Sequence, residues 1–227
     1  MLQLTLQTAP PEDAVRVLVV DDHDLFRQSV RHVLSLEGVV VVGEAASGED
    51  AVRLADELRP DVILMDINMP GMGGVEATRR IASRLPQARV LVFTISAEES
   101  DVMEAVAAGA CGYLLKNVSG QELLVGIQAA VAGESLVSPA IITRLLQHLR
   151  RSGRPQRGEP EDDLLLTPRE LTLLELIVTG KDNAQIGREL YLSAGTVRNS
   201  VSRLLRKLGL RNHTEAVLYA LRRGIVE

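Results

Sequence analysis

At 227 residues the chain has room for two ordinary domains, and 46% apolar with 24% charged side chains excludes a disordered polymer. Aromatic residues make up only 2%, so the cores must be aliphatic, and no apolar run approaches the ~20 residues of a membrane helix. The net charge of −5 hides an asymmetry: from Leu164 to Glu227 there are 10 Lys/Arg against 6 Asp/Glu, a net of +4, which leaves 15 against 24, a net of −9, before it. A basic back end suits nucleic acid, and an acidic front repels it.

The opening MLQLTLQTAPPEDA (1–14) lacks the basic start and long apolar stretch of a signal peptide and is expected to be a short extension. The one cysteine, Cys111, excludes an internal disulfide, and a cytoplasmic protein with no membrane partner is the expectation. Short apolar runs follow at Val15–Val20, Val39–Val42, Val62–Met65, Val90–Phe93 and Tyr113–Leu115, as buried parallel strands should. Amphipathic helical patterns lie between them: Phe26, Val30, Val33 and Leu34 share one face, as do Leu123, Ile127 and Val131. Ser47 with Asp50 and Ser119 with Glu122 resemble capping boxes. Five strands alternating with helices predict an α/β doubly wound parallel sheet over residues 15–135. Residues 136–163 read as a linker: a helix beginning at Ser138-Pro139, then RSGRPQRGEPEDD, which has nothing to build a core.

From 164 to 227 the pattern is helical throughout. Thr167-Pro168-Arg169-Glu170 combines a capping box with Pro at the first helical position, and Gly180 is a plausible stop. A short helix is expected from about Asn183 to Leu190, then the tight YLSAG turn, a helix from about Ala194 to Leu208 ended by Gly209, and a last helix from about Thr214. The result is a separate all-α four-helix domain.

Asp21 and Asp22 follow the first strand, Asp66 the third and Lys116 the fifth, while Thr94 ends the fourth. All stand at the carboxyl ends of strands, where open α/β sheets place their ligand crevice; in strand order 2-1-3-4-5 the three carboxylates converge. Crowded carboxylates become tolerable around a hard cation such as Mg²⁺, and a metal-masked carboxylate is a competent nucleophile toward phosphorus. A nearby lysine and hydroxyl would hold the remaining phosphoryl oxygens.

The runs VLVVDDHD (17–24), DVILMDINMPGMGG (61–74), VLVFT (90–94) and GYLLK (112–116) resemble, in order and spacing, the signature segments of receiver domains, which have a flavodoxin-like fold. The resemblance covers roughly Val15 to Val131. It implies that Asp66 accepts phosphate from a sensor histidine kinase, and that Asp22, Asp66 and the backbone carbonyl of Asn68 bind Mg²⁺ with Asp21 helping through water. It further implies that Thr94 and Tyr113 are the switch pair and that Lys116 binds phosphate. Asn117 stands where many receivers carry Pro, so a cis-proline step is not implied.

In the helix from Ala194, Val197, Val201, Leu204, Leu205 and Leu208 form a stripe, leaving Arg198, Asn199, Ser202, Arg203 and Arg206 on a basic face suited to the DNA major groove. The runs LTPREL, NAQIGREL, LSAGTVRNSVSRLLRKLGLRN and HTEAVLYALRRG are similar to the LuxR/NarL-type DNA-binding domain, with the helix-turn-helix at about 183–202. The resemblance implies that Arg198, Asn199 and Ser202 face the groove; Ser200 replaces a frequent His. Together the two resemblances imply a two-component response regulator, not an enzyme. Its expected partners are a kinase, double-stranded DNA and a second copy of itself when phosphorylated, with RNA polymerase a further candidate.

Three other readings compete. A dehalogenase-type phosphatase with Asp66 as nucleophile would want Asp at position 68, where Asn68 stands. A small-molecule sensor front would not need the acidic pocket. A receiver acting unphosphorylated as an interaction module is compatible with the sequence. Charge also predicts a closed form in which the acidic front screens the Arg198–Arg206 face, and the last helix, with Val217, Leu218 and Leu221, is expected to pair two copies.

Overall fold

The computed structural model describes residues 14–96, 98–133, 166–181, 183–210, 212–223 and 225. The expected linker helix and the RSGRPQRGEPEDD run lie outside the described residues, as do residues 1–13 of the N-terminal extension. Five strands alternate with five helices in the first half: β1 (Arg16–Val20), α1 (Asp24–Leu36), β2 (Val40–Ala45), α2 (Gly48–Leu58), β3 (Val62–Met65), α3 (Gly74–Arg84), β4 (Arg89–Thr94), α4 (Glu99–Ala108), β5 (Gly112–Leu115) and α5 (Gly120–Val131). The sheet is parallel in the order β2-β1-β3-β4-β5, which puts β1 beside β3 as the carboxylate argument requires.

Strand alternation distributes the core over two faces. Val17, Val19, Val62 and Leu64 pack with Val30 and Leu34 of α1 and Leu123 and Ile127 of α5. Leu18, Val20, Ile63 and Met65 pack on the other face with Ala51 and Ala55 of α2 and Ala77 and Ile81 of α3. The edge strand β2 runs to Ala45, beyond the expected Val42, because an edge position tolerates Gly43 and Glu44, which interrupt the apolar run. Ser119 closes a complete capping box with Glu122, whereas at Ser47 the hydroxyl accepts from the Asp50 amide and donates to Asp50 Oδ2, each at 3.2 Å.

The second half is a bundle of α6 (Pro168–Val178), α7 (Asn183–Leu190), α8 (Ala194–Lys207) and α9 (His213–Arg223). Thr167 and Glu170 form the expected capping box ahead of Pro168. Lys207 Nζ reaches Glu170 Oε2 at 2.7 Å, and this ammonium, with the Thr167 amide, holds the Glu170 carboxyl down to about 2. The α7–α8 turn passes through Tyr191 at φ 55, closed by the Leu192 amide donating to Gly187 O at 2.8 Å. Glycine is required at 187, since a Cβ there would lie 2.6 Å from Leu192 O.

Gly74, at the start of α3, has the same role beside the pocket: a Cβ there would stand 1.9 Å from the carbonyl oxygen of Asp66. Gly74→Ala should therefore destabilise the first domain by about 3 kcal/mol, because helix and pocket loop must separate. Gly195→Ala, whose Cβ would meet only Ser193 Oγ at 3.9 Å, should stay within about 1 kcal/mol of wild type. Denaturant unfolding of the two variants measures the contrast, and equal costs would contradict this packing.

Candidate functional site

The pocket is a direct extension of the sheet ladder. The Asp21 amide donates to Ala45 O at 3.0 Å, the Asp66 amide to Val20 O at 2.9 Å and the Lys116 amide to Thr94 O at 2.8 Å. Each functional residue is thus fixed by the strand next to its own. Asp21 and Asp66 are buried, at 2% and 3% exposure, and Thr94 is fully buried.

Lys116 Nζ lies 2.6 Å from Asp21 Oδ2 and 2.6 Å from Asp66 Oδ2. Burial pushes its pKa down, but the two carboxylates more than offset this and the net shift is upward, so the ammonium is retained. The second oxygen of Asp66 accepts from the Asn68 amide at 3.2 Å, and the Asn68 side-chain amide donates to Thr94 Oγ1 at 3.2 Å. Thr94 Oγ1 also faces the Ser96 amide at 3.4 Å, and the Tyr113 hydroxyl donates to Ser96 O at 3.0 Å. Burial, then the negative charges of Asp101 and Asp66, pushes the Tyr113 phenol well up, so it remains a donor. Asp66, Asn68, Thr94, Ser96 and Tyr113 therefore form one connected chain of polar contacts.

Asp21, Asp22 and His23 place one ligand atom each within 4.8 Å of one another. His23, which sequence reasoning passed over, holds its Nδ1 2.8 Å from Asp22 Oδ1, and its amide donates to Asp21 Oδ1 at 2.9 Å. Asp66, expected among the metal ligands, is outside that trio and is paired with Lys116 instead. The donor set still fits a hard divalent cation. Three carboxylates, two of them buried, are met at close range by one ammonium, and oxygen ligands with an unbalanced negative charge are what Mg²⁺ prefers.

In the helical domain, Ser193 caps α8 by accepting from the Thr196 amide at 3.1 Å. Val197, Val201, Leu204 and Leu205 are buried, while Arg198, Asn199, Ser202, Arg203 and Arg206 are all exposed. The expected basic face exists, and its residues recur at the three- and four-residue spacings of one helix side.

The expectation that the acidic domain screens this face is not met. The first domain meets the start of α9 instead. Buried Asn212 donates from Nδ2 to Ala110 O at 3.1 Å, and buried Thr214 donates from Oγ1 to Cys111 O at 3.2 Å. Asn212 Oδ1 also accepts the Glu215 amide at 2.9 Å, capping α9. Between the two contacts His213 is buried, which pushes its imidazole down to about 4 and keeps it neutral at pH 7. Ile67, Val102, Val106 and Tyr113 of the first domain join Leu174, Val201 and Val217 of the second in one apolar cluster. A groove of 410 Å³ between Met103 and Val106 on one side and Leu210 and Tyr219 on the other marks the edge of the contact. Val217, expected at a dimer interface, is buried here; the side chains of Leu218 and Leu221 lie outside the description.

Among the described residues no helix is long and apolar enough to cross a membrane. The family model for "Response regulator receiver domain" matches residues 17–128, and that for "Bacterial regulatory proteins, luxR family" matches residues 164–220. The transcriptional regulatory protein LiaR of Bacillus subtilis (strain 168) is 39% identical over 213 residues, covering 93% of this chain and 99% of that protein. The nitrate/nitrite response regulator protein NarL of Escherichia coli (strain K12) is 38% identical over 210 residues, covering 92% and 95%. A crystal structure of the response regulator ChrA of a heme-sensing two-component system is 30% identical, with a TM-score of 0.52, covering 94% of this chain and 99% of that one. The acidic pocket at the end of a five-stranded parallel sheet, the exposed basic helix and these likenesses agree: the chain belongs to the two-component response regulators that join a receiver domain to a LuxR-type DNA-binding domain.

Proposed function

We propose that Asp66 is the phosphoacceptor and that its phosphorylation by a sensor histidine kinase controls DNA binding through the exposed face of α8. The observation that carries this is the buried Asp21–Lys116–Asp66 bridge at the carboxyl ends of β1, β3 and β5. A carboxylate oxygen of Asp66 attacks phosphorus; the new O–P bond forms as the P–N bond to the kinase imidazole breaks, and the electron pair leaves on nitrogen. Bound Mg²⁺, held by Asp21, Asp22, Asp66 and the Asn68 carbonyl, would supply charge neutralisation of the carboxylates and phosphoryl oxygens. Lys116 then turns from the Asp66 carboxylate to a phosphoryl oxygen, and the Thr94 hydroxyl donates to another. Drawing Thr94 inward loosens its contact with Ser96, whose carbonyl is the anchor of Tyr113.

With acetyl phosphate and Mg²⁺ the wild-type protein should gain one acid-stable, base-labile phosphoryl group, and Asp66→Asn should gain none. Intact-mass measurement reads the outcome, and phosphate mapped to Ser, Thr or His would overturn the assignment.

On the DNA side, Arg198 stands near the start of the exposed face, where a recognition helix meets base edges. Arg198→Ala should weaken specific binding by about 1–3 kcal/mol and relax sequence preference. An equal loss on every sequence, with a shallower salt slope, would make Arg198 a phosphate contact only.

The contact at the start of α9 gives the receiver its hold on the DNA-binding domain. On this reading the unphosphorylated closed form leaves the basic face open and withholds α9, the helix through which two copies would pair on DNA. Asn212→Asp keeps the cap acceptor but removes the amide donor to Ala110 O, and Thr214→Val removes the hydroxyl donor. At about 1 kcal/mol per hydrogen bond, the double variant should bind DNA up to about thirtyfold tighter than wild type without phosphorylation. Fluorescence anisotropy on unphosphorylated protein tests this, and unchanged affinity would refute the withholding role.

A further inference from the structure

The chain has two phenylalanines and no tryptophan, and the two phenylalanines pack together at the pocket. Phe26 stands on the first turn of α1 and Phe93 on β4, with ring centroids 5.5 Å apart and planes tilted by 44°. The Lys116 ammonium sits over the Phe26 ring, 4.5 Å from its centroid. We propose that Phe26 is a positioning residue for phosphotransfer, its ring face holding the Lys116 ammonium beside Asp66. This rests on the reading of Asp66 as phosphoacceptor.

An ammonium has three donors and no acceptor. Two directions are taken by Asp21 Oδ2 and Asp66 Oδ2, each at 2.6 Å, and with the Lys116 side chain only 10% exposed, water has little room to serve the remainder. The negative face of an aromatic ring meets that need, and its attraction grows as the cation is desolvated.

The carboxylates are the partners that change during the reaction. When an Asp66 oxygen bonds to phosphorus and the acetyl phosphate P–O bond breaks, with the electron pair leaving on acetate, Asp66 exchanges its free carboxylate for an acyl phosphate. The Phe26 ring is unaltered by that exchange. It keeps the ammonium at the pocket in both states, within reach of the incoming phosphoryl oxygens.

Aliphatic packing alone would explain a large apolar residue at position 26, since Phe26 borders the cluster containing Val30, Leu34 and Phe93. Phe26→Leu separates the two roles because it retains apolar bulk and lacks the quadrupole; Phe26→Tyr retains both. The full-length chain and its Phe26→Leu, Phe26→Tyr, Lys116→Met and Phe26→Leu/Lys116→Met variants are compared in initial rate of phosphorylation by acetyl phosphate with Mg²⁺. Thermal unfolding midpoints are measured in metal-free buffer.

Phe26→Leu should slow phosphorylation about three- to tenfold, and Phe26→Tyr should remain within about twofold of wild type. In the Lys116→Met background, Phe26→Leu should add nothing to the rate, and its shift of the unfolding midpoint should shrink. The proposal is overturned if Phe26→Leu keeps the wild-type rate, if Phe26→Tyr fails to rescue, or if Phe26→Leu acts by the same factor with and without Lys116. A wild-type protein that gains no phosphoryl group on Asp66 would instead remove the underlying reading, an outcome distinct from all of these.

Discussion

Two carboxylates buried at the end of one sheet cannot persist there without compensation, and Lys116 provides it at close range. Isolated ionised groups in a low-dielectric interior cost many kcal/mol, and removing one partner of a buried pair typically costs about 3–5 kcal/mol. Such a bridge is a poor way to stabilise a fold, because apolar residues of equal size would do as well. Its value lies in being rearrangeable. On the proposed reading, the lysine shared between two carboxylates would be reassigned when Asp66 acquires a phosphoryl group, and the strands that carry all three residues need not move. The ladder bonds from Asp21, Asp66 and Lys116 to neighbouring strands hold the backbone in place around the bridge.

From that bridge a continuous series of contacts leads toward the second domain. Asp66 is tied to Asn68, Asn68 to Thr94, Thr94 to Ser96, and Ser96 to Tyr113. Ser96 also bonds Asp101 on α4, and α4 ends one turn before Ala110 and Cys111, whose carbonyls receive Asn212 and Thr214. Spatial continuity does not by itself transmit a signal; a segment with two arrangements is needed. The β4–α4 segment has the right construction, because its polar anchors converge on Ser96, and the loss of Thr94 would release the others together.

Much of this was legible in the sequence, for identifiable reasons. The strands β1, β3, β4 and β5 are short apolar runs because both faces of a parallel sheet are buried, and the pocket residues stand out as polar positions directly after them. The helix starts were legible where capping chemistry is local, at Ser119, Thr167 and Ser193. Contacts between distant segments were not. Nothing in the spacing of Phe26 and Lys116 places a ring under an ammonium, although the scarcity of aromatics was a signal. His23 beside two aspartates was visible in the VDDHD run but is an ordinary exposed residue until its ring is seen turned toward them.

The two domains dock where net charge alone would not put them. Opposite net charges suggested that the acidic receiver would cover the most basic helix, yet exposed charges attract without direction and are screened beyond about 8 Å at physiological salt. Short-range terms decide where two surfaces meet. The start of α9 offers apolar burial in a shared cluster together with two donors matched to the carbonyls of Ala110 and Cys111 just before β5, and the basic face of α8 makes neither contact.

The same short-range terms bound how strongly the closed form is held. Two neutral hydrogen bonds contribute about 1 kcal/mol each, and small apolar side chains such as Ala110 and Ala216 add little area apiece. A contact of a few kcal/mol keeps most molecules closed, and on the proposed reading a phosphoryl group on Asp66 would need only a differential preference of similar size to open it. A much larger interface would lock the regulator shut whatever the state of Asp66, and a much smaller one would leave α9 available at all times. On the proposed reading, the sparse contact at Asn212 and Thr214 would suit an opening driven by the rearrangement of a single lysine bridge.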